Sequence, residues 1–240
     1  MAMTRRGLVV LVAALLGTGV TARLGLWQLD RAAQKNTLQA ALDERRALPP
    51  LAAAELATAG EQALAQHHRA IVLEGRWIAE HSIYLDNRQM NGRPGFYAVT
   101  PLLLADGSVV LVQRGWLPRD AAERTRITPP ATPAGPVRVA GRIAPPPGRL
   151  YEFAGAASGA IRQNLDLIAF GQELRLPLRP LSVVQEDGPL TPNDGLLRQW
   201  PRPAADVHKH YGYAFQWFAL ATLIFGLYAW FQLIRPRLRR

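Results

Sequence analysis

The stretch Tyr211–Ile234, YGYAFQWFALATLIFGLYAWFQLI, decides how the rest of the chain is read. It contains 24 residues without a formal charge, and as an α-helix it would cover about 36 Å against a bilayer core of about 30 Å. A transmembrane helix is therefore expected over 211–234. Arg235, Arg237, Arg239 and Arg240 follow it directly, and a basic cluster so close to a span favours the cytoplasmic side. The C-terminus is expected inside.

At the other end, Arg5 and Arg6 precede the uncharged run Gly7–Ala22. Extended through Leu29, the run reaches bilayer length and takes in Arg23, which can snorkel outward from a few residues below the interfacial Trp27. A first span over 7–29 and a cytoplasmic segment 1–6 follow. The competing reading is a cleaved signal peptide, with Val20-Thr21-Ala22 supplying small residues suited to cleavage.

Charge supports two anchored ends. All 18 acidic residues fall in 30–207, where the balance is only +2, and the other +8 of the net +10 comes from the termini. That excess borders apolar segments instead of forming a face on the middle of the chain, so it points to lipid phosphates and not to nucleic acid. With no cysteine in the chain, thiolate metal sites, disulfides and a Cys nucleophile are excluded. The expected architecture is an α+β membrane protein: N- and C-terminal transmembrane helices flank an extracytoplasmic, antiparallel β-rich domain over 30–207.

From the end of the first span Trp27, Arg31 and Lys35 recur every four residues on one helix face, until Pro49-Pro50 ends the helical stretch. Leu51–Gln66 reads as a short surface helix. Six β-branched or aromatic runs then read as strands: His68–Ile78, Ser82–Arg88, Gly95–Leu104, Ser108–Trp116, Val137–Ala144 and Leu181–Gln185. Asn91-Gly92 and Asp106-Gly107 are hairpin signals, and short strands with close turns favour a sheet that curls or closes. One helix is expected over Asn164–Leu174, with Leu165, Ile168, Ala169 and Gln172 on one face.

Catalytic templates are missing. There is no HExxH, P-loop or dinucleotide fingerprint, and Gly155–Gly159 has the wrong spacing for a nucleophile elbow. His67 and His68, if on a strand, point to opposite faces and make a poor metal site. Asp86-Asn87-Arg88 and Arg114-Gly115-Trp116 place charges at the ends of neighbouring strands, where such groups lock turns. No enzymatic activity is expected.

The second span says more. His210, Tyr213 and Trp217 share one helix face, and nine of the nineteen aromatic residues lie in 211–231. An imidazole above two rings suits a planar apolar ligand such as haem, although the same residues would also serve as interfacial anchors. His208 falls on roughly the opposite side.

Several segments together resemble the surfeit-locus cytochrome c oxidase assembly factors. They are Leu24-Gly-Leu-Trp27-Gln28-Leu-Asp-Arg31 with Lys35; His68-Arg69 to Gly75; Leu85-Asp86-Asn87-Arg88; Pro94-Gly95 to Leu102; Leu111-Val-Gln-Arg114-Gly115-Trp116-Leu-Pro118; and His210-Tyr-Gly-Tyr213-Ala214-Phe-Gln-Trp217-Phe218. Where the family usually carries Asn, this chain has Gln113 and Lys209. The resemblance implies a non-enzymatic chaperone of respiratory-chain biogenesis in the cell inner membrane, with both termini cytoplasmic and the central domain periplasmic. It would bind haem a and assist its insertion into the catalytic subunit of cytochrome c oxidase.

Under that resemblance His210 is the axial ligand of the haem iron, with Tyr213 and Trp217 as the wall and Arg31, Lys35 or Lys209 as propionate partners. Trp27, Gln28, Arg31, Asp86, Arg88, Gly95, Arg114, Gly115 and Trp116 are motif or docking residues. The expected partners are the oxidase catalytic subunit, other oxidase assembly proteins and membrane lipid. The alternative is a haem-free scaffold that holds the oxidase subunit through the β domain.

Overall fold

The computed structural model describes residues 4–120, 122–123, 125–151, 159–201 and 206–238. Gly155–Ser158 and the terminal Arg239 and Arg240 of the sequence reading lie outside the described residues. The chain forms two compact units, one made of residues 1–41 and 202–240, the other of residues 42–201.

The first unit is helical. Helix α1 runs from Arg5 to Ala47, about 65 Å at 1.5 Å per residue, and so continues well past the expected span. Gln, Ala, Leu and Lys after Trp27 are good helix formers, and the turn stops only where Pro49 and Pro50 forbid it. Helix α4 (Val207–Tyr228) passes through a π-helical turn (Ala229–Ile234) into α5 (Arg235–Leu238). Pro236 has no N–H to give the carbonyl four residues back, and the chain widens just before it, with the Arg235 amide bonded to Trp230 O. Both helical segments are long and apolar enough to cross a membrane.

A seam of small residues joins α1 to α4. The buried positions are Thr21, Gly25 and Ala32 on α1 and Val207, Ala214 and Ala221 on α4. In hydrocarbon the hydrophobic effect cannot pull helices together, so association relies on close van der Waals packing, which small residues permit. A Cβ at Gly25 would lie 2.8 Å from the Phe218 ring, and one at Gly17 would touch Ile224 at 3.4 Å. The Thr21 hydroxyl is turned back onto Gly17 O at 2.7 Å, which leaves no unsatisfied donor in the seam at that point.

The second unit is a mixed sheet of seven strands: β1 (Ala70–Trp77), β2 (Ile83–Met90), β3 (Arg93–Leu104), β4 (Val109–Pro118), β5 (Pro136–Ala144), β6 (Ile161–Arg162) and β7 (Leu178–Gln185). Its order is β1-β5-β7-β4-β3-β2-β6, and β1 also pairs with β3 through Gly75↔Leu104 and Trp77↔Leu102. Five strands thus close into a barrel, and β2 with β6 extend it beyond β3. Closure is possible because Gly75 has no side chain where β1 presses on Leu103 O. Pairings are antiparallel, as expected, except β4 with β7 and β2 with β6. β6 is too short to carry a periodic signal.

Three buried clusters pack on this sheet, the smallest formed by Tyr84, Phe96, Ala98, Leu117 and Leu196. Ile71, Leu73, Leu102, Val110, Val112, Val139, Ile143, Leu181 and Val183 fill one, covered by Leu56, Ala57 and Ala63. Val109 and Leu111 point the other way, with Ile83, Leu85, Val99, Phe170 and Leu174. Alternate residues of β4 thus serve different cores, so its run reads as continuously apolar.

Four local expectations are corrected. Leu51–Gln66 is not one helix: Leu51 bridges to Ile71, a 3₁₀ turn covers Ala53–Glu55, and α2 spans only Gly60–Gln66. The Gln66 side chain ties the intervening loop, accepting from Ala57 N–H and donating to Glu55 O. Helix α3 begins at Leu167, because Asp166 caps it by accepting from the amides of Ile168 and Ala169. Its buried face is Phe170 and Leu174, while Ile168 is 76% exposed. His67 and His68 precede β1 in a turn, with His68 at φ 70°, and are not on a strand. Asn91-Gly92 does make the expected hairpin turn, with φ of 52° and 74°.

Replacing Gly25 with Leu is expected to force the seam apart. The natural chain has no cysteine, so cross-linking between Gly17→Cys and Ile224→Cys reports the contact cleanly. Its yield should fall severalfold in the Gly25→Leu background, and an unchanged yield would show that the seam does not depend on the Gly25–Phe218 approach.

Candidate functional site

The residues singled out in the sequence fall into two groups, one in each unit. In the helical unit, His210 Nδ1 lies 2.7 Å from Gln28 Oε1, joining residues 182 positions apart. Farther along α1, Asn36 Nδ2 donates to Tyr211 Oη at 3.2 Å. His210 is half-buried, and its Nε2 has no hydrogen-bond partner among the described residues. Tyr213 is 52% exposed and Trp217 is half-buried, so the ring face beside the imidazole is accessible from outside the helix pair.

The cationic side chains nearby are partly committed. The Arg31 guanidinium lies 5.8 Å from the Trp27 ring centroid and donates to Gln34 Oε1 at 3.1 Å. Lys209 pairs with Asp206 at 2.7 Å. That hydrogen bond holds the Lys209 ammonium above its ordinary pKa and the Asp206 carboxyl below its own, with Lys35 and His210 adding to the pull on Asp206. Lys209 thus does not stand as a free charge beside His210. His208 is exposed.

In the β unit the two charged triplets sit at β-bulges inside strands, which corrects the expectation that they end strands at turns. The β2–β3 register slips between Leu85 and Arg88, where Asn87 takes φ 58°, and the β3–β4 register slips at Arg114. A bulge turns a side chain from one face to the other. Arg114 goes inward and is 1% exposed, donating to Thr132 Oγ1 at 2.6 Å and Ala131 O at 2.8 Å. Its guanidinium lies 5.0 Å from the Trp77 ring centroid.

The countercharge is Asp194, 3.3 Å from Arg114 and 2.7 Å from Arg198, with all three side chains nearly inaccessible. Burial draws the Arg114 guanidinium below its ordinary pKa and the Asp194 carboxylate opposes that. Arg88 is also buried, donating to Gln163 O at 2.9 Å, while its own carbonyl accepts from Trp116 Nε1 at 2.9 Å. Trp116 lies against Gly95, where a Cβ would overlap the ring. Asp86 pairs with Arg119 at the surface, Gly115 is pressed against Leu196, and Gln113 donates to Ser182 Oγ at 2.9 Å. Arg88, Gly95, Arg114, Gly115 and Trp116 therefore hold the domain from within; among the triplet residues with charge, Asp86 alone is solvent-accessible.

Asp194 and the α1–α4 seam were not picked out from sequence. The seam had a readable signal, Gly17-xxx-Thr21-xxx-Gly25 facing Ala214 and Ala221 at a seven-residue step. Asp194 sits in an irregular segment before an isolated bridge from Leu197 to Trp116, where no periodicity exists.

The architecture is thus a closed β domain in a chain with two helices long and apolar enough to cross a membrane, with one imidazole held across the helix pair. The SURF1 family model matches residues 15–222, and the chain belongs to the SURF1 family. A SURF1-like protein of Rickettsia bellii is 27% identical over 209 residues, covering 85% of this chain and 83% of its own. One from Rickettsia felis is 28% identical over 210 residues, covering 85% and 88%. The cytochrome oxidase assembly protein SHY1 of Saccharomyces cerevisiae is 28% identical over 95 residues, 39% of this chain and 24% of its own.

Changing Asp194 to Asn leaves two buried guanidinium groups without their shared carboxylate. A loss of about 3–5 kcal/mol is expected, read by urea titration of the detergent-solubilised full chain with tryptophan fluorescence. A loss under about 1 kcal/mol would mean that the cluster behaves as a solvated surface pair.

Proposed function

We propose that this protein is a non-enzymatic assembly factor for cytochrome c oxidase that takes haem a as cargo at the His210 face of its helix pair and assists its insertion into the catalytic subunit. The observation that carries the haem reading is the state of His210. One ring nitrogen is held by Gln28 and the other is uncommitted, next to accessible aromatic surface at Tyr213 and Trp217. Family membership and the role carried in the name of the yeast cytochrome oxidase assembly protein support the oxidase part.

The residues present fit the cargo. A single imidazole nitrogen supplies an axial iron ligand, and the adjoining rings offer an apolar wall for a porphyrin. Ligation by one residue suits a carrier, because one bond is released more readily than two. Lys35 and Arg31 stand on α1 as candidate propionate partners, whereas Lys209 would first have to leave Asp206.

In the proposed topology α1 is retained as a membrane anchor, which its packed seam with α4 supports, since a cleaved segment has no need of a fitted partner. Both termini are cytoplasmic and the β domain is periplasmic, at the inner membrane. The positive ends and near-neutral middle favour this sidedness. A phosphatase reporter fused after Arg240 is expected to be inactive, and an active fusion would invert the topology.

Detergent-purified full-length protein from cells that make haem a should carry one equivalent of haem a by optical spectrum, lost or spectrally altered in His210→Ala. Absence of haem from both proteins, with the oxidase subunit still co-purifying, would favour the haem-free scaffold and overturn the cargo reading.

A further inference from the structure

The proposed ligand does not stand alone. Gln28 is fixed on the helix opposite His210, and the pair closes one end of the packed seam. On α1 Gly25 lies three residues before Gln28, and on α4 Ala214 lies four residues after His210; both are buried. Phe218 meets Gly25 one further turn along. The amide is therefore carried by a rigid element whose distance from α4 is set by packing, the arrangement that holds a functional side chain within fractions of an ångström.

A neutral imidazole has one N–H and one lone pair. If a carbonyl oxygen faces Nδ1, the proton must sit on Nδ1 and the lone pair on Nε2. The structure puts Gln28 Oε1 at 2.7 Å from Nδ1, and no described residue competes for Nε2. Metal-binding histidines commonly donate their second N–H to such an acceptor, which fixes the tautomer, stops ring rotation and raises the basicity of the ligating nitrogen.

We propose that Gln28 is a positioning residue for His210: its side-chain carbonyl accepts the Nδ1 proton and so presents Nε2, in a fixed orientation, to the iron of a bound haem. This rests on the reading of His210 as the haem ligand. It gives the Trp27-Gln28 motif at the end of the first span a role inside the helix pair. The opposite amide orientation, with the NH₂ group donating to Nδ1, would leave the proton on Nε2 and block ligation.

The test uses full-length protein in detergent: wild type, Gln28→Leu, Gln28→Glu and His210→Ala. Haem a affinity should fall about 10- to 100-fold in Gln28→Leu. Gln28→Glu should keep its haem, because a carboxylate is a stronger acceptor, and should lower the haem midpoint potential and shift its ligand-sensitive spectrum relative to wild type. The Gly17→Cys/Ile224→Cys cross-link, formed in the Gln28→Leu background, should keep its wild-type yield.

If His210→Ala loses haem while Gln28→Leu binds it with unchanged affinity and spectrum, the positioning role is wrong and the ligand reading survives. If haem and the cross-link are lost together, Gln28 acts only by holding the helices, and the proposal is again overturned. Wild type without haem, or His210→Ala that keeps it, removes the ligand reading and this proposal with it.

Discussion

A peptide N–H or C=O left without a partner where water cannot reach it is costly, and this constraint shapes both units. In the helical unit the backbone groups between the helix ends bond within their own helix, so a 43-residue α1 can run without interruption. The β unit meets the same demand by folding β1 back onto β3, which turns an open sheet into a barrel and leaves few free edges. Gly75 makes that closure sterically possible. Threonine in the seam follows the rule at the level of side chains, its hydroxyl turned onto its own helix.

Polar groups then appear inside only where they are tied. In the barrel, the Arg114–Asp194–Arg198 cluster is almost wholly excluded from water and donates further bonds to a loop carbonyl and a threonine hydroxyl. That organisation fastens the irregular connections at 131–132 and 194–198 to the strands, a task that apolar packing does poorly for loops. In the helix pair the corresponding polar contact is His210 with Gln28. The first is a buried, multiply bonded cluster, which rigidifies; the second leaves one ring nitrogen without a partner among the described residues.

Long periodic elements were legible in the sequence and irregular ones were not. The two apolar helices, the strand runs and the Asn91-Gly92 turn follow from local pattern, because their partners are solvent, lipid or a neighbouring strand. Closure of the sheet was foreseen only as a tendency, since the pairing of β1 with β3 depends on the absence of a side chain at Gly75. The triplets around Arg88 and Arg114 look like surface motifs in sequence, and the bulges that turn them inward leave no local signature. His210 was found by helical spacing, while its contact with Gln28 bridges 182 positions and follows from packing alone.

The π turn at Ala229–Ile234 has a consequence for how this helix tolerates change in length. A π turn stores one residue more than an α turn over nearly the same rise, so it acts as a slack loop inside an otherwise stiff rod. Deletion of one residue within Ala229–Ile234 would convert the π turn to an α turn and leave the phase of the helix on either side unchanged. The angular phase of Val207–Tyr228, and with it the imidazole and its neighbouring rings, would thereby be insulated from the loss of a residue in that turn.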